Sequence, residues 1–123
     1  MKKPKLSTLH RKAWKLQSEW IRRSENGVCF TCDRHEDWKS MQAGHYIHGK
    51  KMDFMPLNIH CQCPRCNKWL HGSSGIYAER LIAKYGEHPV AQLRESSKNE
   101  HKFTISELEE LIIKYTNLIA EIK

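Results

Sequence analysis

The chain has 123 residues, enough for one cored domain and too few for two. Its 39% apolar content includes no run near the ~20 residues that cross a bilayer, and the basic stretch Met1–Leu9 has no hydrophobic segment behind it, so the expectation is a soluble protein without a signal peptide. The 21 Lys+Arg against 14 Asp+Glu give +7, all of it in residues 1–23, where eight basic side chains oppose Glu19 while the other 100 residues carry 13 charges of each sign. A neutral body with a basic arm makes nucleic acid the first partner to expect.

Residues 1–6 hold three lysines and a proline without periodicity, and are expected to be mobile. From Ser7, the spacing of Leu9, Ala13, Leu16 and Trp20 predicts a helix over 7–26, capped by Ser7 or Thr8 and ended by Asn26-Gly27. Residues 28–62 lack helical periodicity and contain short β-like pieces at Val28–Phe30, Gly44–Ile47 and Leu57–His60. Pro64 suits the first turn of a helix from Cys63 to about Gly72. Further helices are expected over Ser74–Tyr85, with Ile76, Leu81, Ile82 and Tyr85 as its apolar residues, and over Pro89–Ser97. Thr104 and Glu107 form a capping box for a last helix with the stripe Leu108, Leu111, Ile112, Tyr115, Leu118, Ile119 and Ile122. That stripe covers either the monomer's own core or a homodimer interface. The expected organisation is a tail over 1–6 and a single α+β domain over 7–123, divided into a basic helix (7–26), a zinc-bound core (28–72) and a helical C-terminal part (74–123).

Five cysteines include two Cys-x-x-Cys pairs, Cys29/Cys32 and Cys63/Cys66. Without a secretory signal they read as metal ligands rather than disulfides. Four thiolates complete one tetrahedral zinc site with no open position, so the zinc is structural. It would contribute folding free energy on the order of 10 kcal/mol. The 30 residues between the pairs exceed the ~15–20 of a compact zinc ribbon, so the loop must enclose something. Cys61 is left over and reads as a buried free thiol.

Inside the loop lie Ala43-Gly44-His45 and Asn58, and Asn67 follows the last cysteine. A neutral imidazole near pH 7 can take a proton from water. An amide oxygen is a hard ligand suited to Mg²⁺, which keeps most of its waters and binds phosphate. Together they suit metal-assisted phosphodiester hydrolysis. His71, four residues after Asn67, is either a further ligand or a histidine at a helix C-terminus. Arg65 and Lys68 beside Asn67, Lys50 and Lys51 beside Gly49, and Arg11, Lys12, Lys15, Arg22 and Arg23 on the first helix are the candidate phosphate contacts. His10 is expected to face solvent and His60 to be structural. The four tryptophans suit core packing first and base stacking second.

Cys29-x-x-Cys32, Ala43-Gly44-His45, Asn58 and Gln62-Cys63-x-x-Cys66-Asn67, followed by Leu70-His71-Gly72, resemble the NinG (Rap) family of lambdoid phage recombination nucleases. The resemblance runs from about Lys12-Ala13-Trp14 to Tyr85-Gly86 and weakly into Phe103-Thr104. It implies a small zinc-stabilised ββα core of the HNH, or His-Me finger, superfamily wrapped by helices, and an endonuclease acting on branched DNA such as Holliday junctions or D-loops in the bacterial host cytoplasm. By motif, His45 would be the general base, Asn67 the ligand of a catalytic Mg²⁺ or Mn²⁺, and Asn58 the brace between the strands. Many HNH enzymes carry Asp or His just before the base as a second ligand; here that position is Gly44. Family members also carry an N-terminal cysteine-containing segment without a counterpart in these 123 residues. The rival readings are a zinc DNA-binding module without catalysis and a nonspecific HNH nuclease.

Overall fold

The computed structural model describes residues 4–122. Met1–Lys3 of the expected tail lie outside the described residues, and Leu6 is already helical. Helix α1 spans Leu6–Ser24, with Lys5 at the N-cap and no side-chain cap, so Ser7 and Thr8 lie inside the first turn rather than before it. Its end follows the sequence: Asn26 and Gly27 turn left-handed, with φ of 55° and 67°. The Glu36 carbonyl oxygen passes 2.0 Å from where a β-carbon on Gly27 would sit, so only glycine fits there. The buried line of α1 is Ala13, Gln17 and Ile21, with Leu9, Leu16 and Trp20 half-buried beside it. Gln17 is buried because both ends of its amide are used. Its Nε2 donates to the Asp53 carbonyl at 2.7 Å, and its Oε1 accepts from the Tyr115 hydroxyl at 3.0 Å.

Strands β1 (Gln42–His45) and β2 (Ile59–Gln62) form one antiparallel pair, with Gln42 opposite Gln62 and Gly44 opposite His60. The expected strands sit on the apolar stretches two residues away in each case. The ladder instead ends at His45: the Tyr46 amide still reaches the Asn58 carbonyl, but the Asn58 amide turns back to the Met55 carbonyl and the Ile47 amide bonds to the Asn58 side chain. Val28–Phe30 is no strand; Val28 makes an isolated bridge to His35 within the first cysteine knuckle. The Phe30 amide ties that knuckle to β2 through the Cys61 carbonyl at 2.7 Å.

After Pro64 the chain does not form the expected helix to Gly72. Arg65–Trp69 is a single π-helical turn, closed by the Leu70 amide on the Arg65 carbonyl at 2.9 Å. His71, Gly72 and Ser73 then run left-handed. The turn is pulled open by its neighbours, since the Gly72 amide returns to the Cys66 carbonyl at 2.8 Å and the Gly72 carbonyl accepts from Gln62 at 2.9 Å.

Helices α2 (Ser74–Tyr85), α3 (Glu87–Ser96) and α4 (Ile105–Ala120) complete the chain. Gly86 breaks α2 as expected, and α3 starts two residues before Pro89. In α2 it is Tyr77 that is buried, while Ile76 is 46% exposed; the Tyr77 hydroxyl donates to the Gly44 carbonyl at 2.7 Å. The Thr104/Glu107 capping box is present. The apolar stripe of α4 covers this chain's own α1 through Leu108 and Tyr115, and Tyr115 packs on Trp20. The result is a small mixed α+β domain with a two-stranded sheet. One core cluster lies between α1 and the sheet (Ile21, Met41, Ile59, Cys61), the other around Tyr77, Leu81 and Val90.

Glu25 fastens α1 to the sheet. Its carboxylate accepts from the Cys61 amide at 2.9 Å and lies 2.8 Å from His60 Nδ1, and Phe30 stacks on the His60 ring. Glu25→Ala leaves a buried amide unpaired, which should cost about 1–3 kcal/mol. Urea unfolding of the zinc-loaded protein measures this, and an unchanged midpoint would contradict the role.

Candidate functional site

The first cysteine knuckle and the segment after β2 bring Cys29, Cys32, Cys63 and Cys66 together, with all four sulfurs within 4.8 Å of one another. A tetrahedral zinc with Zn–S near 2.3 Å requires sulfurs about 3.8 Å apart; Cys32 and Cys63 are separated by 3.7 Å. The cluster could therefore hold a structural zinc. Burial pushes the Cys29 thiol up, but hydrogen bonds from the Thr31 hydroxyl and from nearby backbone outweigh it and bring the thiol down to about 7. Cys61 is fully buried outside the cluster, and burial together with the Glu25 carboxylate pushes its thiol up to about 12. It is a neutral thiol, not a ligand.

His45 is the last residue of β1. Its ring stacks on Trp14 of α1, with centroids 4.8 Å apart and planes 9° apart. Its Nε2 lies 2.6 Å from Asp53 Oδ1, and the other Asp53 oxygen lies 2.7 Å from His10 Nε2. Burial raises the Asp53 carboxyl, but the hydrogen bonds and charge of His45 and His10 outweigh it and hold the carboxyl below its usual range. An ionised carboxylate only accepts, so both histidines carry a proton on Nε2. In the uncharged form of the His45 ring that leaves Nδ1 as the free base, and among the described residues no group donates to it. His10, expected in solvent, is thus half-buried against Asp53 and Phe54.

Asn58 is fully buried. It accepts from the Ile47 amide and donates to the Ile47 and Met52 carbonyls, all within 3.0 Å, which closes the loop that carries Asp53. Asn67 sits on the π turn and donates through Nδ2 to Gln42 Oε1 at 2.7 Å. Its Oδ1 lies 3.0 Å from the position of a β-carbon on Gly44; Gln62 Oε1 lies 1.8 Å from the same point. Gly44 and His45 are neighbours on one strand, so their outward directions are opposite. The imidazole is on the α1 face, and the two amide oxygens are on the other.

His71 is exposed and left-handed beyond the end of the turn, so the helical spacing that would align it with Asn67 does not hold. Arg11, Lys12, Lys15, Lys50, Arg65 and Lys68 are exposed. Arg22 and Arg23 are engaged within the protein: Arg22 bonds to Ser18 and to the carbonyls of Trp38 and Met41, Arg23 to Glu19, and both guanidinium groups lie over the Trp38 ring. Lys51 is half-buried and lies 3.9 Å from Glu100. Of the tryptophans, Trp14, Trp20 and Trp38 are packed, and Trp69, two residues after Asn67, is 79% exposed. Sequence reasoning missed Asp53, His10 and Gln62. Asp53 lies in an irregular loop that the Asn58 side chain and Gln17 of α1 hold against the site.

The family model described as "Bacteriophage Lambda NinG protein" matches residues 1–123. The protein ninG of Escherichia phage lambda is 28% identical over 125 residues, which cover 90% of this chain and 61% of that protein. The protein ninG of Enterobacteria phage H19B is 31% identical over 109 residues, 77% of this chain and 54% of its own length. The chain thus spans about three fifths of the length of the curated relatives it matches. No solved structure matches it. No helix among the described residues is long and apolar enough to cross a membrane.

Purified protein should bind one zinc per chain, and cobalt substituted for it should give the absorption of a tetrahedral thiolate site. Cys63→Ser should lose the metal and the fold with it, because the site supplies folding free energy on the order of 10 kcal/mol. Cys61→Ser should keep both. Loss of stoichiometric metal in Cys61→Ser would contradict the ligand set.

Proposed function

The chain belongs to the bacteriophage lambda NinG family, and from that premise we propose that it is a metal-dependent DNA endonuclease built on a zinc-stabilised ββα core of the HNH type. The observation that carries the reading is the His45–Asp53 pair at 2.6 Å. A carboxylate that fixes the Nε2 proton of an imidazole, with Nδ1 left free, is the arrangement of a general base. His45 takes the proton of a water that attacks phosphorus in line, leaving a 5′-phosphate and a 3′-hydroxyl. Trp14 and Asp53 hold the ring through that transfer, and Asn58 holds the Asp53 loop.

The donor set fits a hard dication. Asn67 bonds to Gln42 through its nitrogen, and its Oδ1 borders the Gly44 position beside the Gln62 amide oxygen. Mg²⁺ or Mn²⁺ bound there supplies charge neutralisation at the phosphate and at the leaving oxygen. A phosphate lying across the end of β1 would meet the base on one side and the amide oxygen on the other.

Branched DNA, such as a Holliday junction or D-loop, is the proposed substrate, and the cytoplasm of the phage's bacterial host the proposed place. Arg11, Lys12 and Lys15 are exposed on α1, and Arg65 and Lys68 flank Asn67; these are the proposed backbone contacts. Trp69, exposed between Lys68 and Leu70, offers a face on which an unpaired base at a branch can stack. Resolving a junction takes two nicks related by a twofold axis, which makes a homodimer the proposed active form.

With Mg²⁺ and a four-way junction, wild type should cut, and His45→Ala should lose about 10²–10⁴-fold in rate. Asp53→Asn should fall by a smaller factor and change the pH profile of cutting, because the proton on Nε2 is no longer fixed. Undiminished cutting by His45→Ala would reject the base. Junction binding by wild type without any cutting would leave a zinc DNA-binding module, and equal cutting of junction and duplex would leave a nonspecific nuclease.

Replacing Arg11, Lys12 and Lys15 together by alanine should weaken junction binding and reduce its log–log salt slope by about 0.7–0.9 for each phosphate that the variant no longer neutralises. An unaltered slope would remove α1 from the interface.

A further inference from the structure

Gln62 is fully buried, yet its Oε1 has no hydrogen-bond partner among the described residues. The orientation of its amide is fixed by what surrounds it. The Gly72 carbonyl can only accept, so the atom 2.9 Å from it is Nε2. The second Nε2 hydrogen goes to Thr31 Oγ1 at 3.0 Å. Thr31 Oγ1 is in turn 3.5 Å from Cys29 Sγ, and a hydroxyl that accepts from Gln62 gives its own proton to that sulfur.

Oε1 is thereby aimed at Gly44, at the point where a β-carbon would stand, and Asn67 Oδ1 borders the same point. Two amide oxygens, each with its nitrogen committed elsewhere, converge where β1 has no side chain. Donation through both N–H bonds polarises the Gln62 amide and makes its oxygen a better donor. Neutral carbonyl oxygens are the ligand type that Mg²⁺ and Mn²⁺ accept.

Resting on the reading of Asn67 as an ion ligand, we infer that Gln62 supplies a second protein oxygen to that ion from β2, beside Asn67 Oδ1, because the missing side chain at position 44 leaves its place to the Gln62 amide. Gly44 is the room this arrangement needs, since a β-carbon there would collide with Oε1. Because Gln62 also reaches Cys29 through Thr31, the zinc cluster sets the position of the second oxygen.

Mn²⁺ alone, added to the zinc-loaded protein without DNA and followed by electron paramagnetic resonance of the free ion, tests this. Gln62→Ala should weaken Mn²⁺ binding about tenfold or more, at unchanged zinc content. That variant also gives up the bonds to Thr31 and Gly72. Gly44→Ala is therefore the second probe, since it keeps Gln62 but displaces Oε1, and it should weaken Mn²⁺ as well. The double variant Gly44→Asp/Gln62→Ala, which returns an oxygen from the strand into the vacated space, should recover binding. Native Mn²⁺ affinity in both single variants, alongside its loss in Asn67→Ala, would overturn the role of Gln62 and leave Asn67 as the ligand. Native affinity in Asn67→Ala, or no Mn²⁺ bound by wild type, would overturn the ion site itself and Gln62 with it.

Discussion

Four sulfurs within 4.8 Å of one another set the knuckle at Cys29 and Cys32 against the segment that follows β2, and a zinc held by them would clasp the two together. Asn67 and Gln62 are placed relative to that clasp. Cys63 and Cys66 bracket the start of the π turn, so the clasp fixes the turn, and the turn carries Asn67. The Thr31 hydroxyl joins the cluster to Gln62, and Gln62 joins it to Gly72, where the chain turns into α2. A two-stranded sheet is marginal by itself in water. Here its four pairs are held by the sulfur cluster at one end and by Asn58 at the other.

The interior is correspondingly polar. Gln17, Thr31, Asn58, His60 and Gln62 are all buried, and the apolar core is split into two small clusters. Buried polar groups are tolerable only when bonded, and each one bonded with defined geometry specifies an arrangement that apolar packing would leave loose. Gln17 joins α1 to both the Asp53 loop and α4; Glu25 and His60 join α1 to β2. Removing one such partner exposes the other to the full cost of desolvation.

Much of this is legible in the sequence wherever a local rule governs. Doubled Cys-x-x-Cys spacing, Asn26-Gly27 as a helix stop, the Thr104/Glu107 capping box and the bounds of α2 depend on neighbours within a few residues. The failures have a common cause. Hydrophobicity puts the strands on apolar stretches, whereas the ladder is set by the polar residues Gln42, Asn58 and Gln62. Pro64 and periodicity suggest a helix after Cys63, whereas Gly72 and Gln62 pull that segment into a π turn. Periodicity favours Ile76 as a core residue over Tyr77, because an aromatic with a hydroxyl can be buried only where that hydroxyl has an acceptor, and Gly44 supplies it. Asp53 and His10 lie 43 residues apart, and no spacing rule connects them.

Position 44 shows how one missing side chain reorganises a site. In a strand, neighbouring residues project to opposite faces, so a residue placed just before the proposed base automatically addresses the side away from it. An acidic side chain there would bring its own charge, and in a cleft already holding Asn67 and Gln42 it would exclude the Gln62 amide. With glycine, the same space is reached from the other strand by a neutral oxygen, and the charge stays on Asp53, on the face of His45. The separation keeps the carboxylate that orients the imidazole from competing for the dication proposed opposite. It also leaves the oxygens beside Asn67 neutral, so that a bound ion would retain nearly its full charge for a phosphate.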